Sequence, residues 1–267
     1  MSQEQPQLVF GDDGSASADV AWLWVNNHQW PQWRITVATA QRELDSPETT
    51  LQPWSPAAPR VLFEPAEGTT LEHLRANTDP RIMLDSCSDA GLIVVGPRGS
   101  GTLKALHIGS TTEWLLSSHR PIAPIVIIRS ARPTRKVLLC VDGSPDAQRA
   151  ADVLAGLPWI GTCSVTILGV SDGISDPEEG CYMAQAAFAD TGATVSLQEA
   201  AALRGTLTMN VKSVLLDIIA DEGPDLVALG TRGQGGIQRL LLGSTASAVA
   251  HYSRCSTLIA RDPSAPR

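Results

Sequence analysis

The 267-residue sequence has no long hydrophobic run and no excess of basic charge. No apolar stretch approaches the ~18 residues that a membrane-spanning helix needs, and the start, MSQEQPQLVF, has no basic region followed by an apolar one. The formal net charge of −8 gives no overall attraction for nucleic acid phosphates or an anionic membrane surface. Neither nucleic acid nor a membrane is therefore expected as a partner, and we expect a cytoplasmic protein.

Closely spaced cysteines are also absent. The five cysteines are odd in number, widely separated and free of any CxxC pair, so the sequence predicts neither a disulfide framework nor a zinc site. We interpret them as small apolar residues of the core. They are Cys87, Cys140, Cys163, Cys181 and Cys255.

Common catalytic and nucleotide motifs are missing as well. The sequence contains no GxxxxGK[ST], no GxSxG and no HExxH, and its five histidines are scattered. His107-Ile108-Gly109-Ser110 matches the HIGH motif of nucleotidyl transferases only in part, because the second histidine is absent. No catalytic constellation is predicted, and we do not expect an enzyme.

What the sequence does contain is an internal repeat. LIVVGPRGSGTLKALHIGST, residues 92–111, lies 134 positions before LVALGTRGQGGIQRLLLGST, residues 226–245, and nine positions are identical without a gap. A second repeated motif lies upstream, where Asp13-Gly14-Ser15 and Asp142-Gly143-Ser144 each follow a short apolar run. The chain is therefore predicted to hold two copies of one unit, in keeping with about two domains for this length.

The second copy is the more regular and predicts alternating strands and helices. Apolar runs without polar alternation predict buried parallel strands, and Ser144-Pro145 predicts a helix start. Gly223-Pro224 predicts a helix end. The predicted strands are 137–141, 164–170, 194–198, 226–229 and 257–260, and the predicted helices are 178–189, 209–220 and 244–253. An open α/β sandwich follows from this order.

The first copy predicts the same outline with a less regular middle. Its strand candidates are 8–10, 35–38, 92–95 and 125–128, while four prolines in 41–59 argue against a helix there. Six of the seven tryptophans lie in this half, which we interpret as core and interface packing, with an aromatic ligand site as the alternative. The basic segment 129–136, RSARPTRK, is interpreted as a solvated linker.

The repeated glycine loop is the main chemical feature. In each copy Gly-x2-Gly follows a buried strand, and Gly-Ser-Thr opens a helix nine residues later. Glycines admit a close ligand, and a helix start offers free N–H groups, a positive dipole end and hydroxyls, so such a loop can bind a polyphosphate. The alternative is that each glycine only makes a turn and each serine only caps a helix. Arg98 and Arg232 match across the copies and could neutralise phosphate charge, or be solvated loop residues.

The pattern Gly-x2-Gly-x9-Gly-Ser, after a first strand that ends in Asp-Gly-Ser, resembles the universal stress protein family, here as a tandem. The resemblance implies an α/β fold of two tandem, doubly wound, open parallel five-stranded sheets with helices on both faces. This arrangement is Rossmann-like and similar to that of adenine nucleotide alpha hydrolases. It further implies a first domain at 1–131 and a second at 132–267.

The resemblance also implies adenine nucleotide sites. The second site would comprise Asp142, Val170, Gly230, Arg232, Gly233, Gly243, Ser244 and Thr245, and the first Asp13, Ala40, Gly96, Arg98, Gly99, Gly109, Ser110 and Thr111. Asp142 and Val170 would hold the adenosine end, and the glycine loop would hold the ribose and phosphates. ATP, together with Mg2+ on its phosphates, is the expected ligand. We also expect that Gly243→Val would collide with phosphate and leave the sheet folded.

Pairing of the apolar last strands, 124–128 and 256–260, is expected because each would otherwise leave an exposed edge. They could pair within the chain, and a homodimer is also implied by the resemblance.

Three functions stay open: an ATP-binding stress-response regulator with an unknown partner protein and at most slow hydrolysis, an interaction scaffold of the same fold, and a nucleotide hydrolase or transferase. The first is the hypothesis that we carry forward.

Overall fold

The structure is a computed structural model that describes residues 5–41, 59–98, 108–118, 123–171, 177–201, 210–233 and 242–264. Strands and helices alternate along the chain. The strands are β1 (Gln7–Gly11), β2 (Arg34–Gln41), β3 (Thr70–Asn77), β4 (Leu92–Val95), β5 (Ile125–Ile127), β6 (Lys136–Val141), β7 (Ser164–Ser171), β8 (Thr194–Ala201), β9 (Leu226–Gly230) and β10 (Ser256–Ala260). The helices are α1 (Ala16–Asn26), α2 (Pro80–Asp85), α3 (Ser110–Leu116), α4 (Pro145–Ala155), α5 (Glu178–Ala186), α6 (Val211–Glu222) and α7 (Ser244–Tyr252), with a 3-10 turn at Ile160–Thr162.

The strands form one ten-stranded sheet in the order β3-β2-β1-β4-β5-β10-β9-β6-β7-β8. Within each half of the chain every neighbouring pair is parallel. Strands β5 and β10 pair antiparallel, with Val126 opposite Leu258. The two five-stranded sheets that were expected are therefore joined into one, and the expected pairing of the last strands within the chain is confirmed.

Helices cover both faces of this sheet, as predicted. One apolar core contains the buried faces of α1, α4 and α5, and the other contains those of α2, α3, α6 and α7. The inner strands supply side chains to both cores, which is why their sequences read as continuous apolar runs. The α/β class with helices on both faces is confirmed.

Local sequence explains where the elements begin and end. Ser144 accepts a hydrogen bond at Oγ from the Ala147 N–H at 3.2 Å, and Pro145 takes the first helical position of α4. Such a cap contributes about 1 kcal/mol. Helix α6 ends at Gly223, whose φ of 55° lies in the left-handed region that glycine adopts without strain.

Several boundaries differ from the predictions. Helix α5 ends three residues early, at Ala186, strand β8 runs three residues further, to Ala201, and α6 spans Val211–Glu222. Strand β3 and helix α2 were not predicted. The sequence of β3, TLEHLRAN, has no apolar run because it is an edge strand with most side chains exposed. The six-residue helix α2 is too short for a periodic pattern, although its Asp79 cap and Pro80 are start signals.

Part of the irregular middle of the first copy can be compared. Residues 42–58 lie outside the described residues, so the predicted loss of a helix at 41–59 is largely untested. The described segment 59–69 contains no helix. In the second half, α5 occupies the corresponding place between β7 and β8.

Tryptophans from both halves pack together, which confirms the packing interpretation. Trp24 and Trp30 of the first half meet Trp159 of the second, with ring centroids 5.7 and 6.3 Å apart. His28 lies among them, 4.4 Å from both Trp24 and Trp159. Trp22 and Trp33 are also buried, whereas Trp54 lies outside the described residues. We name Trp24, His28, Trp30 and Trp159 the aromatic cluster.

The linker between the halves is anchored, which corrects the expectation of a solvated segment. Thr134 is buried, and its N–H donates to His28 Nε2 at 2.9 Å. Its hydroxyl accepts from Trp24 Nε1 at 3.1 Å. The other ring nitrogen, His28 Nδ1, donates to the Trp24 carbonyl at 2.7 Å. The linker is therefore tied to the aromatic cluster, because polar groups buried there need hydrogen-bond partners.

Two arginines cross the junction of β5 and β10 in opposite directions. Arg129 follows β5, and its guanidinium donates to the Ala250 and Cys255 carbonyls near the end of α7. Arg261 follows β10 and donates to the Ser118 carbonyl at 2.7 Å and the Leu116 carbonyl at 3.4 Å, at the end of α3. Each half therefore satisfies orphan carbonyls at a helix end of the other half.

The five cysteines are all free, and Cys87 and Cys255 are only half-buried. Cys140, Cys163 and Cys181 are buried. Burial raises the pKa of the Cys140 thiol to about 12, so this residue behaves as an apolar side chain. Among the described residues, no helix is both long and apolar enough to span a membrane.

Candidate functional site

Asp142 and Ser144 lie where β6 ends and α4 begins. Asp142 Oδ1 accepts from the Ser144 N–H at 3.0 Å, and Gly143 between them has a φ of 76°. Ser144 Oγ also donates to the Arg232 carbonyl at 3.1 Å. The turn after the first strand of this half is thereby fastened to the glycine loop that follows β9.

The first two glycines of that loop serve different contacts. A Cβ on Gly230 would lie 2.6 Å from the backbone carbon of Asp146, so the missing side chain lets β9 approach α4. A Cβ on Gly233 would overlap Asp142 Oδ2. Gly230 is therefore required by helix packing, while exposed Gly233 leaves its backbone directly beside the Asp142 carboxylate.

The third glycine closes the loop onto the start of α7. The Gly243 N–H donates to the Thr231 carbonyl at 2.6 Å, and Gly243 is the N-cap of α7 without a side-chain cap. A Cβ on Gly243 would lie 3.0 Å from the Thr231 oxygen. Gly243→Val would therefore also crowd the Thr231 carbonyl, in addition to the collision with phosphate that the sequence predicts.

The first turn of α7 offers unused donors. The hydroxyls of Ser244 and Thr245 have no hydrogen-bond partner among the residues that the structure describes. Ser244 is exposed and is the first helical residue, not the cap. By contrast, side chains cap α4 and α6. An uncapped start with a positive dipole end is suited to an anion.

A buried carboxylate that sequence reasoning missed holds the base of this loop. The Asp146 side chain is 3% exposed, and its Oδ2 accepts from the Thr231 hydroxyl at 2.5 Å and from the Arg232 N–H at 3.1 Å. Arg232 Nε also contacts Oδ2 at 3.2 Å. Oδ1 accepts from the Asp262 N–H at 2.8 Å, after β10. The Thr231 hydroxyl in turn accepts from Arg261 Nε at 3.4 Å.

Val170, predicted at the adenosine end, is partly buried near the end of β7 and pairs with Ala200 of β8. The structure thus brings Asp142, Gly233 and the start of α7 to the carboxyl ends of the strands, with Val170 on the neighbouring strand. Open α/β sheets bind ligands at this edge. No group of three or more metal-type side chains occurs among the described residues.

The first half repeats part of this geometry. The Gly109 N–H donates to the Pro97 carbonyl at 2.7 Å, and Ser15 Oγ contacts the Arg98 carbonyl at 3.4 Å. A Cβ on Gly96 would lie 2.9 Å from Ser17 of α1. Arg98 and Ser110 are exposed.

The other predicted residues of the first half are placed as follows. Asp13 is exposed and accepts from the Ser15 N–H at 3.1 Å. Ala40 is partly buried at the end of β2, and Thr111 is in the first turn of α3. Gly99 lies outside the described residues.

An ion-pair network distinguishes the first half. Arg60 binds both oxygens of Asp12, at 2.9 and 2.8 Å, and reaches Asp19 at 2.6 Å. Hydrogen bonding to Asp12 raises the pKa of Arg60. Asp12 stands where the second copy has Val141, so polar contacts occupy a place that is apolar in the second half.

The comparisons agree with the sequence and the fold. Residues 133–261 match the model of the universal stress protein family. A universal stress protein of Mycolicibacterium smegmatis is 23% identical over 290 residues, which cover 95% of this chain and 96% of the relative. The second half of the chain therefore matches the universal stress protein family, and the alignment with the M. smegmatis protein extends the similarity over nearly the whole chain.

One solved structure supports the fold. A universal stress protein from Archaeoglobus fulgidus superposes over 97% of this chain and 99% of its own, with a TM-score of 0.63 and 18% identity. A universal stress protein in complex with cAMP aligns with 48% of this chain at a TM-score of 0.38 and 22% identity. The first of these likenesses shows that the Rossmann-like α/β arrangement is shared across the whole chain.

Proposed function

We propose that the second half of the chain binds an adenine nucleotide, ATP with Mg2+, and that its occupancy regulates binding to a partner protein in a cytoplasmic stress response. The observation that supports this most is the uncapped start of α7, together with exposed Gly233, which lies against the Asp142 carboxylate. We further propose that residues 1–131 and 132–267 are the two repeat units, each contributing five strands.

The donor set fits a nucleotide's phosphates. The first-turn N–H groups and the hydroxyls of Ser244 and Thr245 would donate to phosphate oxygens, and the positive end of α7 would stabilise their charge. Asp142 would hold the adenosine end, where a carboxylate accepts hydrogen bonds from a sugar or base. Mg2+ would neutralise phosphate charge when bound, through phosphate and water oxygens. These are binding interactions, and the proposal includes at most slow hydrolysis.

The corresponding residues of the first half are proposed as a weaker site. The Arg60 network and the short helix α3 distinguish it from the second. A homodimer through the last strands is not part of the proposal, because β5 and β10 have both edges paired within the chain. We propose that this internal pairing takes the place of pairing between two subunits.

The test is a titration of nucleotide-stripped protein with ATP and Mg2+, accompanied by analysis of any nucleotide that co-purifies. Ser244→Glu adds charge at an exposed first-turn position, where acidic residues stabilise helices. The variant should fold normally and bind ATP at least about tenfold more weakly because the added carboxylate repels phosphate. Ser110→Glu is the matched control in the first half and should leave the ATP affinity of the site in the second half unchanged.

The same titration separates the alternatives. If the wild type binds ATP, ADP and cAMP only with dissociation constants above about 1 mM, the interaction scaffold is the better function. Equal ATP affinity in Ser244→Glu and the wild type would remove the start of α7 from the site. Rapid conversion of ATP to ADP would instead favour the enzyme hypothesis.

A further inference from the structure

Thr231 connects three elements at the base of the second glycine loop. Its N–H donates to the Ala260 carbonyl of β10 at 2.9 Å, and its carbonyl accepts from the Gly243 N–H at the start of α7. Its hydroxyl donates to Asp146 of α4 at 2.5 Å. A small displacement of Thr231 would therefore also displace the first turn of α7.

Asp146 holds this residue in place from the buried side. Its side chain is 3% exposed, yet both carboxylate oxygens accept hydrogen bonds, from Thr231 and Arg232 on one oxygen and from Asp262 on the other. Donors to a buried carboxylate make stronger hydrogen bonds than neutral pairs. The carboxylate thus fixes the backbone of Thr231-Arg232, directly before Gly233.

The first half lacks these groups. Pro97 stands at the position of Thr231 and has neither an N–H nor a hydroxyl, and Ser17 stands at the position of Asp146. Of the contacts that Thr231 and Asp146 make, the described residues of the first half keep the one to the carbonyl, from the Gly109 N–H to Pro97. The two glycine loops therefore share a sequence pattern, but their described residues are held by different hydrogen bonds.

We infer that Asp146 and Thr231 are positioning residues that preorganise residues 231–233 and the start of α7 for phosphate, and that their absence makes the first site the weaker of the two. This inference rests on the proposed function. Backbone that hydrogen bonds already hold in place loses less conformational freedom on binding, so its ligand binds more tightly. The chain is therefore expected to hold one nucleotide tightly and a second more weakly.

The test compares three variants of the full chain. Asp146→Asn keeps the shape and removes the charge, Thr231→Val keeps the shape and removes the hydroxyl, and Thr231→Ser keeps the hydroxyl. Each is titrated with ATP and Mg2+, and amide hydrogen exchange is followed at Arg232 and Gly243 without nucleotide. Urea denaturation checks that the global stability is retained.

Asp146→Asn and Thr231→Val should weaken ATP binding by about tenfold and speed exchange at both amides by about tenfold or more. Thr231→Ser should stay within about twofold of the wild type in both measurements. If the role of Thr231 were merely structural, the variants would differ in stability, but Thr231→Val and Thr231→Ser would not differ in ATP affinity and amide exchange in this way. Equal affinity and equal exchange in these two variants would overturn the inference, even if Asp146→Asn failed to fold.

The failure of the proposed function gives a different result. A wild-type chain that binds no ATP would overturn the proposed function together with the affinity claim. A wild-type chain that binds ATP, with variants of faster exchange and unchanged affinity, would overturn the inference alone.

Discussion

His28 makes the stability of the protein depend on pH in a range where few other side chains titrate. Burial lowers its pKa from 6.5 to about 4, with nearby Arg135 lowering it further and the Trp24 carbonyl and Asp225 opposing the change. The neutral ring is also required by geometry, because Nε2 accepts the Thr134 N–H. If the ring were protonated, Nε2 would carry a hydrogen and could no longer accept the Thr134 N–H, so two donors would face each other.

The direction of the effect follows from the two pKa values. The unfolded chain binds a proton at His28 below about pH 6.5, whereas the folded chain binds it only below about pH 4. The stabilisation is therefore fully present above pH 6.5 and is lost as the pH falls from 6.5 to 4. The free energy of unfolding falls by about 2 kcal/mol between pH 7.5 and 5, and the total loss levels off at about 3 kcal/mol below pH 4.

The assay is urea denaturation of the wild type and His28→Gln at pH 7.5, 6 and 5, followed by tryptophan fluorescence of the aromatic cluster. A glutamine oxygen can accept the Thr134 N–H and does not titrate. The variant should be less stable at pH 7.5, and its difference from the wild type should shrink by about 2 kcal/mol at pH 5 because only the wild type loses this stabilisation. The other histidines cancel in the difference. A difference that stays constant from pH 7.5 to 5 would refute the reasoning.

Two further predictions concern the junction and the loop. Arg261→Met should lower the free energy of unfolding by about 2 kcal/mol, as should Arg129→Met, because each leaves carbonyls at a helix end of the other half without a donor. Exposed Arg132→Met is the control for urea denaturation, and equal midpoints in all three would contradict the crossing contacts. Gly230→Ala should cost more than about 2 kcal/mol, because its Cβ would lie 2.6 Å from backbone of α4, whereas Gly223→Ala, with nothing within 4 Å, should cost only about 1 kcal/mol for its positive φ. Urea denaturation of both glycine variants tests this prediction, which is wrong if Gly223→Ala loses as much free energy of unfolding as Gly230→Ala.

The elements that could be predicted were those whose local sequence agrees with their buried position. The apolar run 137–141 gave β6 because both faces of that strand are covered, and Ser144-Pro145 placed the start of α4. Strand β3 was missed because an edge strand needs no apolar run. Local pattern predicts such elements well only where burial dictates the pattern.

The candidate site shows a similar division. The glycine spacing led to the start of α7 and to Gly233, but it did not reveal that α4 requires the missing side chain of Gly230. Asp146 and Thr231 were missed because their contact joins residues 85 positions apart. The one local sign was Pro97 at the position of Thr231 in the other copy.

The antiparallel pairing of β5 with β10 also has a consequence for concentration. The strands that meet belong to one chain, and only residues 128–135 separate the end of β5 from the start of β6. The effective concentration of one half near the other is therefore fixed by a short tether and does not fall when the protein is diluted. The pair also always contains one copy of each half, so the two halves can diverge in sequence without forming mismatched pairs.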